Sequence, residues 1–199
     1  DTPVITWRSK VTSNNVTSDK IWTRKWDGQD WIAMTSNDAR VNTVNNAPGD
    51  SNVSCVTPDR CMVAFEQSDQ LNGRANNLYV RRLEGNSWRT MGESLNIDSP
   101  TNSYALDINI AIGADDLPIV AWRQFILGTG NFHSHAYVSR WNRQSEQWDP
   151  LGALLDFVPA ERIEGLFMVI DENGQPIVGF SEENKAIDRW DVYMRRYNQ

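Results

Sequence analysis

The stretch "PIVAWRQF", residues 118–125, decides the fold, because the chain says nearly the same thing three more times. It occurs as "PVITWRSK" from Pro3, as "CMVAFEQS" from Cys61 and as "PIVGFSEE" from Pro176. The aromatics at the shared position are Trp7, Phe65, Trp122 and Phe180, separated by 58, 57 and 58 residues. A second phrase follows each copy: "IWTRKW" from Ile21, "LYVRRL" from Leu78, "AYVSRW" from Ala136 and "VYMRRY" from Val192. It aligns Trp22, Tyr79, Tyr137 and Tyr193, and behind them Lys25, Arg82, Arg140 and Arg196. In three copies a tryptophan closes the unit: Trp31, Trp88 and Trp148. A sustained period of this length, built from short alternating segments and turns, is the mark of a repeat array.

Each full unit parses into four strands. Strand A is "LDINIAIG" (106–113) or "EGLFMVID" (164–171), where apolar residues alternate as on a half-buried strand. The turns "ADDLP" and "DENGQP" follow, rich in residues that tolerate tight backbone. Strand B is the echoed phrase, strand C the second phrase, and a short polar turn leads to strand D. Four antiparallel strands per unit make a propeller blade. The expected fold is therefore all-β, a single β-propeller domain or propeller fragment over 1–199, made of four repeats of about 58 residues as four-stranded antiparallel blades. Repeat anchors fall near 3–7, 61–65, 118–122 and 176–180. The first and last blades are incomplete, since the chain enters at strand B and ends at strand C. Three arrangements satisfy that count: a fragment of a larger propeller, a compact four-bladed ring, or two copies head to tail in a ring of about eight blades.

The turn and aromatic before strand D resemble the Asp-box of sialidase-type propellers. "DGQDW" (27–31) keeps Asp, Gly and Trp, "EGNSW" (84–88) replaces the Asp, and "NRQSEQW" (142–148) lacks the Gly, so the repeats are degenerate. The "PxVAW" and "YVxRW" phrases are also similar to those of secreted bacterial propeller proteins. The resemblance spans essentially the whole chain. It implies the propeller architecture and, more remotely, glycan chemistry.

Composition narrows the function. Nineteen Lys and Arg face 26 Asp and Glu, a net charge of −7. That excludes nucleic acid as the expected partner, and no apolar run is long enough for membrane insertion. Cys55 and Cys61 flank the turn at Pro58-Asp59, so a cross-strand disulfide is expected, with a pair of buried thiols as the other reading. The disulfide would suit a secreted, extracellular or periplasmic setting. No metal or other cofactor is expected. His133 and His135 share one side of an extended segment without a third ligand, and read as solvated loop residues. Asn15 and Asn52 match the glycosylation acceptor pattern.

Alternating strand direction puts the A–B and C–D turns at one end of the units and the B–C and D–A connections at the other. The second end carries the longer, divergent segments, among them 9–19, 67–77, 94–105, 124–135, 154–165 and 182–190, and binding tends to reside on such loops. The ligand-binding residues expected there are Arg8, Glu66, Arg123 and Glu182 at the ends of the B strands, and Trp190 in the last long loop. Arginines and carboxylates so placed either hold a polar ligand or pair with one another between blades. The expected function is a secreted or cell-surface module that recognises a glycan or protein without catalysis. The alternative is a sialidase-like glycoside hydrolase, with Glu66 and Glu182 as its carboxylate pair. A homodimer completing a larger ring is the remaining partner expectation.

Overall fold

The period-two alternation of the repeats becomes strands throughout. The computed structural model describes residues 2–13, 16–35, 40–42, 49–68, 76–97, 103–127, 132–156 and 161–197. Among them the chain is all-β, with fourteen antiparallel strands in four sheets and no helix. The first sheet holds β1 (Val4–Ser13), β2 (Val16–Trp26) and β3 (Trp31–Ala33). The second holds β4 (Ser51–Thr57), β5 (Arg60–Gln67), β6 (Asn77–Glu84) and β7 (Ser87–Thr90). The third holds β8 (Ser103–Ile112), β9 (Pro118–Leu127), β10 (Phe132–Asn142) and β11 (Gln147–Pro150). The fourth holds β12 (Ile163–Ile170), β13 (Pro176–Asn184) and β14 (Arg189–Arg196).

In each sheet the strands lie side by side in chain order. The repeat alignment reappears as register: Trp7 faces Trp22, Phe65 faces Tyr79, Trp122 faces Tyr137 and Phe180 faces Tyr193 across the B–C pair. These pairs point toward the preceding sheet. Residues one position away point toward the next, because successive side chains on a strand alternate faces.

Three apolar clusters fill the three spaces between sheets. Ile21 and Val41 meet Val63 and Phe65 between the first and second. Ala64, Leu78 and Val80 meet Val120, Trp122 and Tyr137 between the second and third. Ala121, Ala136 and Val138 meet Val178 and Phe180 between the third and fourth. Each fully buried large side chain contributes about 2 kcal/mol, so sheet-on-sheet packing holds the array together. Cross-sheet hydrogen bonds reinforce it: the Asn52 amide donates to Ile108 O and the Asn109 amide to Leu166 O.

Two expectations change. The segments 9–19 and 124–135 are mainly strand, because β1–β2 and β9–β10 continue pairing outward as long hairpins. Cross-strand pairing satisfies their backbone as a ladder. Segment 182–190 is likewise a short turn between β13 and β14, and Trp190 lies on β14 opposite Glu183.

The cysteine expectation holds. Cys55 and Cys61 are directly opposite across β4–β5 and are joined by a disulfide. The basic series at the far end of the C strands is tied to acidic partners: Lys25 to Asp59, Arg82 to Glu84, Arg140 to Asp115 and Arg196 to Asp171. Among the described residues no helix is long and apolar enough to cross a membrane.

Candidate functional site

The B strands deliver their last residues to the end of the sheets where the connectors arrive. Beyond the short D strands, those connectors run on along strand C. Val41 N–H donates to Ile21 O, Leu95 N–H to Leu78 O, and Leu155 N–H to Ala136 O. The next residue of each connector then clamps the strand. Asn42 Oδ1 accepts from Ile21 N–H at 2.9 Å, Asn96 Oδ1 from Leu78 N–H at 2.6 Å, and Asp156 Oδ1 from Ala136 N–H at 3.0 Å. A side-chain oxygen thus completes a backbone pairing that the D strand is too short to make. In the third copy the clamp is charged, and its Oδ2 lies 2.5 Å from His135 Nδ1. His135 is therefore a buried residue of β10, not a solvated loop residue, because Asp156 satisfies it there. Among the described residues no group of three metal-ligating side chains exists.

One residue past the aromatic, the B strands carry Arg8, Glu66, Arg123 and Ser181. What each meets is set by the A strand beside it. In the third sheet that partner is Asp107, held at φ 49° in a β-bulge of β8. Arg123 Nε donates to Asp107 Oδ2 at 2.7 Å, and its Nη1 donates to Ile163 O of the next sheet at 3.2 Å. Arg123 is thereby committed to holding the two sheets together. In the fourth sheet the matching position is Gly165, also at a bulge with positive φ, and Ser181 Oγ donates to Glu164 O. In the second sheet the matching position is Asp50, because Asn52 faces Ala64 there as Asn109 faces Ala121 in the third, and an acid offers Glu66 no ion pair.

Glu66 has therefore lost the arrangement its neighbours use. Its backbone continues the ladder with Asp50 and Gly49, and its Oε2 packs against Gly49, where a Cβ would lie 1.4 Å away. The side chain is buried, with 3 % of the residue exposed, and Oε1 has no hydrogen-bond partner. Burial pushes its pKa up to about 7; Asn76 counteracts through a hydrogen bond, Asp50 adds to the rise by its charge, and Arg8 opposes it. The residue is a carboxylic acid poised to hold or release a proton near neutrality. Arg8 itself is exposed on β1.

Glu182 occupies a different register. It lies two residues past Phe180, so it shares that residue's face and aligns with the buried Gln67 and Gln124. Gln124 shows what this position does, since its Oε1 accepts from Ile97 N–H at 2.9 Å and its Nε2 donates to Ile97 O, holding the incoming connector. Glu66 faces the third sheet from the second, whereas Glu182 faces it from the fourth. The two carboxylates expected as a pair stand on opposite sides of that sheet. Trp190 is exposed on the outer face of the fourth sheet, not in a loop. Asn52 is engaged between sheets through its amide, and Asn15 lies outside the described residues.

Sequence reading found Glu66 by its place in the echoed phrase. It missed Asp50, Asp107 and Gly165, although these are spaced by 57 and 58 residues as the repeats are. It also missed the clamp, whose members Asn42, Asn96 and Asp156 are unequally spaced. Cavities also open at the other end of the sheets. One of about 290 Å³ lies between the second and third sheets beside Arg60, Arg82, Asp116 and Trp141. Another of about 470 Å³ is lined by Arg140, Asn142, Gln144 and Asp149.

No family model and no curated protein matches the chain. Among solved structures it resembles the GH32 β-fructofuranosidase of Bombyx mori at 11 % identity, over 90 % of this chain and 40 % of that one, with a TM-score of 0.53. A mutant of that enzyme in complex with sucrose aligns over 98 % of this chain and 45 % of its own, at 10 % identity and a TM-score of 0.55. Below a TM-score of 0.5 lies an endo-arabinase from Bacteroides thetaiotaomicron (11 % identity, 98 % of this chain, 71 % of that chain, TM-score 0.49). The chain spans less than half the length of the fructofuranosidase. At such identities the likeness speaks for the fold, which is of the β-propeller type.

Proposed function

We propose that the chain is a secreted or cell-surface propeller-type module of four blade units that binds a glycan, without catalysis, at the end where the connectors converge. The observation that carries this is Glu66. A buried carboxyl with an unpartnered oxygen costs stability, and the aligned positions show that the fold can close this place with an Arg–Asp pair or a serine instead. Such a departure is expected where a group is kept for a ligand. A neutral carboxyl donates and accepts, which suits the paired donor and acceptor character of sugar hydroxyls. The disulfide fits an oxidising compartment. The fold likeness to a β-fructofuranosidase adds weight to carbohydrate as the ligand class. Arg8 and Asp50 set the charge around Glu66 in this reading, while Arg123 and Glu182 lie in the next space between sheets, where Arg123 serves the packing.

A second reading, a glycoside hydrolase, draws on the raised pKa of Glu66 beside the Asp50 charge, a combination that suits a general acid near neutral pH. Glu182 is not its partner in this version. A glycan array followed by calorimetry on the best ligand separates the two, together with a panel of chromogenic glycosides. Glu66→Leu should abolish glycan binding, while an Arg140→Ala, Asn142→Ala variant at the opposite end should retain it. Binding that survives Glu66→Leu rejects the site; turnover lost in Glu66→Gln but with binding kept would establish the hydrolase.

A further inference from the structure

Charge is unevenly spread over this chain, and arginines gather at one cleft. The cavity of about 290 Å³ between the second and third sheets opens at the end that carries the A–B and C–D turns. The charged groups lining it are Arg60, Arg82 and Arg143 against Glu84 and Asp116. Three cations to two anions is a positive surplus, in a chain whose net charge is −7. Arg89, which shares Glu84 at 3.2 Å, adds to it.

Repeat position separates what the fold demands from what it does not. Arg60 stands directly before the echoed phrase, where the later copies have Leu117 and Gln175. Arg143 stands two residues after Trp141, where the first and second copies have Gly28 and Gly85. The blade manages without an arginine at either place, yet both exceptions line the same cavity, one from each sheet. Arg82 belongs to the repeated basic series but is used differently. Arg140 and Arg196 each pair with an aspartate in the A–B turn of their own sheet, Asp115 and Asp171. In the second sheet that aspartate, Asp59, is taken by Lys25 from the first. Arg82 turns instead to Glu84, two residues along its own strand, and its buried Nε is left without an acceptor. Arg60 holds Asp116 across the cleft at 2.8 Å, with both side chains about half exposed. Among the described residues Arg143 has no partner.

The apolar part of the lining, which includes Met62, Met91 and Trp141, is firmly held. Trp141 meets the edge of Trp148 at 5.2 Å between ring centroids, and a Cβ at Gly92 would lie 2.9 Å from its ring. Trp148 Nε1 donates to Met91 O at 2.9 Å, which ties the third sheet to the second beneath the cleft. The volume is at the lower end of small-molecule sites and takes one body about the size of a sugar ring.

We propose that this cleft binds the sulfate or phosphate ester of a small organic molecule, with the oxyanion between Arg60, Arg82 and Arg143 and the body against Met62 and Trp141. A tetrahedral ester has three terminal oxygens, which three guanidinium groups from two walls can serve, whereas a planar carboxylate is filled by a single fork. The cleft lies at the opposite end of the sheets from Glu66, so it stands or falls independently of the glycan site.

Calorimetric titration of the intact chain in low-salt buffer tests this, with glucose 6-sulfate and glucose 6-phosphate beside glucose, glucuronate and inorganic sulfate. At least one ester should bind with a Kd of about 1 mM or tighter, and the tighter of the two names the group. Its affinity should fall several-fold when salt is raised to about 0.2 M. Glucose should not bind, and glucuronate and inorganic sulfate should each bind at least roughly tenfold more weakly than the ester. Arg143→Gly and Arg60→Leu copy residues of other repeats, so each should keep the wild-type urea midpoint while weakening the ester roughly tenfold or more. No binding of either ester at about 10 mM, equal affinity for glucose, glucuronate or inorganic sulfate, or an ester affinity unchanged in a folded Arg143→Gly or Arg60→Leu variant would overturn the proposal.

Discussion

Replacing Glu66 by Gln should make the protein more stable at neutral and alkaline pH and leave it nearly unchanged in mild acid. In the unfolded chain this carboxyl loses its proton around its ordinary value of 4.5, whereas burial in the folded protein holds the proton until about pH 7. Between those values the unfolded state has released a proton that the folded state still carries. Stability therefore falls as pH rises through that window, by up to about 1.4 kcal/mol per pH unit, and levels off above pH 7. The accumulated penalty is about 3 kcal/mol, to order of magnitude, because each unit of pKa difference corresponds to about 1.4 kcal/mol. Glutamine keeps the shape without the charge, so it is spared this loss. At pH 8 the variant should be more stable by roughly 2–3 kcal/mol after allowance for an imperfectly satisfied amide, or about 4–12 °C in melting temperature for a chain of this size. The nine tryptophans allow the measurement by fluorescence in urea at pH 5, 6, 7 and 8. A stability difference that stays constant across this range, or a variant that is weaker at pH 8, would refute the reasoning that Glu66 is a buried acid with one unpartnered oxygen.

The remaining predictions use the same kind of measurement. Gly49→Ala should cost about 1–3 kcal/mol, because its Cβ would collide with the Glu66 carboxyl, and the loss should shrink in a Glu66→Ala background. Replacing both Cys55 and Cys61 by Ser should lower stability by about 2 kcal/mol, the scale set by so short a closed loop, read as a shift in the urea midpoint. Asp156→Ala strips the acceptor from Ala136 N–H and from His135, and should cost roughly 2–4 kcal/mol. Asp156→Asn copies the residue at the two preceding clamps, so it should lose less than half as much.

The repeat and its strands were legible because their determinant is local and periodic. Trp7, Phe65, Trp122 and Phe180 must face the same way in every unit, so each keeps its place within strand B while the connectors absorb the one-residue difference between repeats. The A-strand bulges were less legible, because Asp107 and Gly165 are different residues serving one backbone conformation. The hairpin arms in segments 9–19 and 124–135 read as loops, because Asn, Ser, Thr and Gly crowd their tips and interrupt the alternation that marks a strand. For the candidate site, Glu66 stood out by position, yet its departure could be seen only once Asp50, the counterpart of Asp107, was found beside a carboxyl and not an arginine. Trp190 misled for the opposite reason. Its strand neighbours Val192 and Met194 carry the alternation, but no aligned aromatic signalled that the strand had already begun.

The clamp at Asn42, Asn96 and Asp156 also bears on how such a molecule can change over generations. Each of the first three units is sealed by one amide or carboxyl oxygen, so strand C has its pairing completed before the chain moves on to the next sheet. The three stretches downstream of the seal can be lengthened, shortened or exchanged without disturbing the ladder behind them. Grafting one onto another unit should leave the melting temperature within a few degrees.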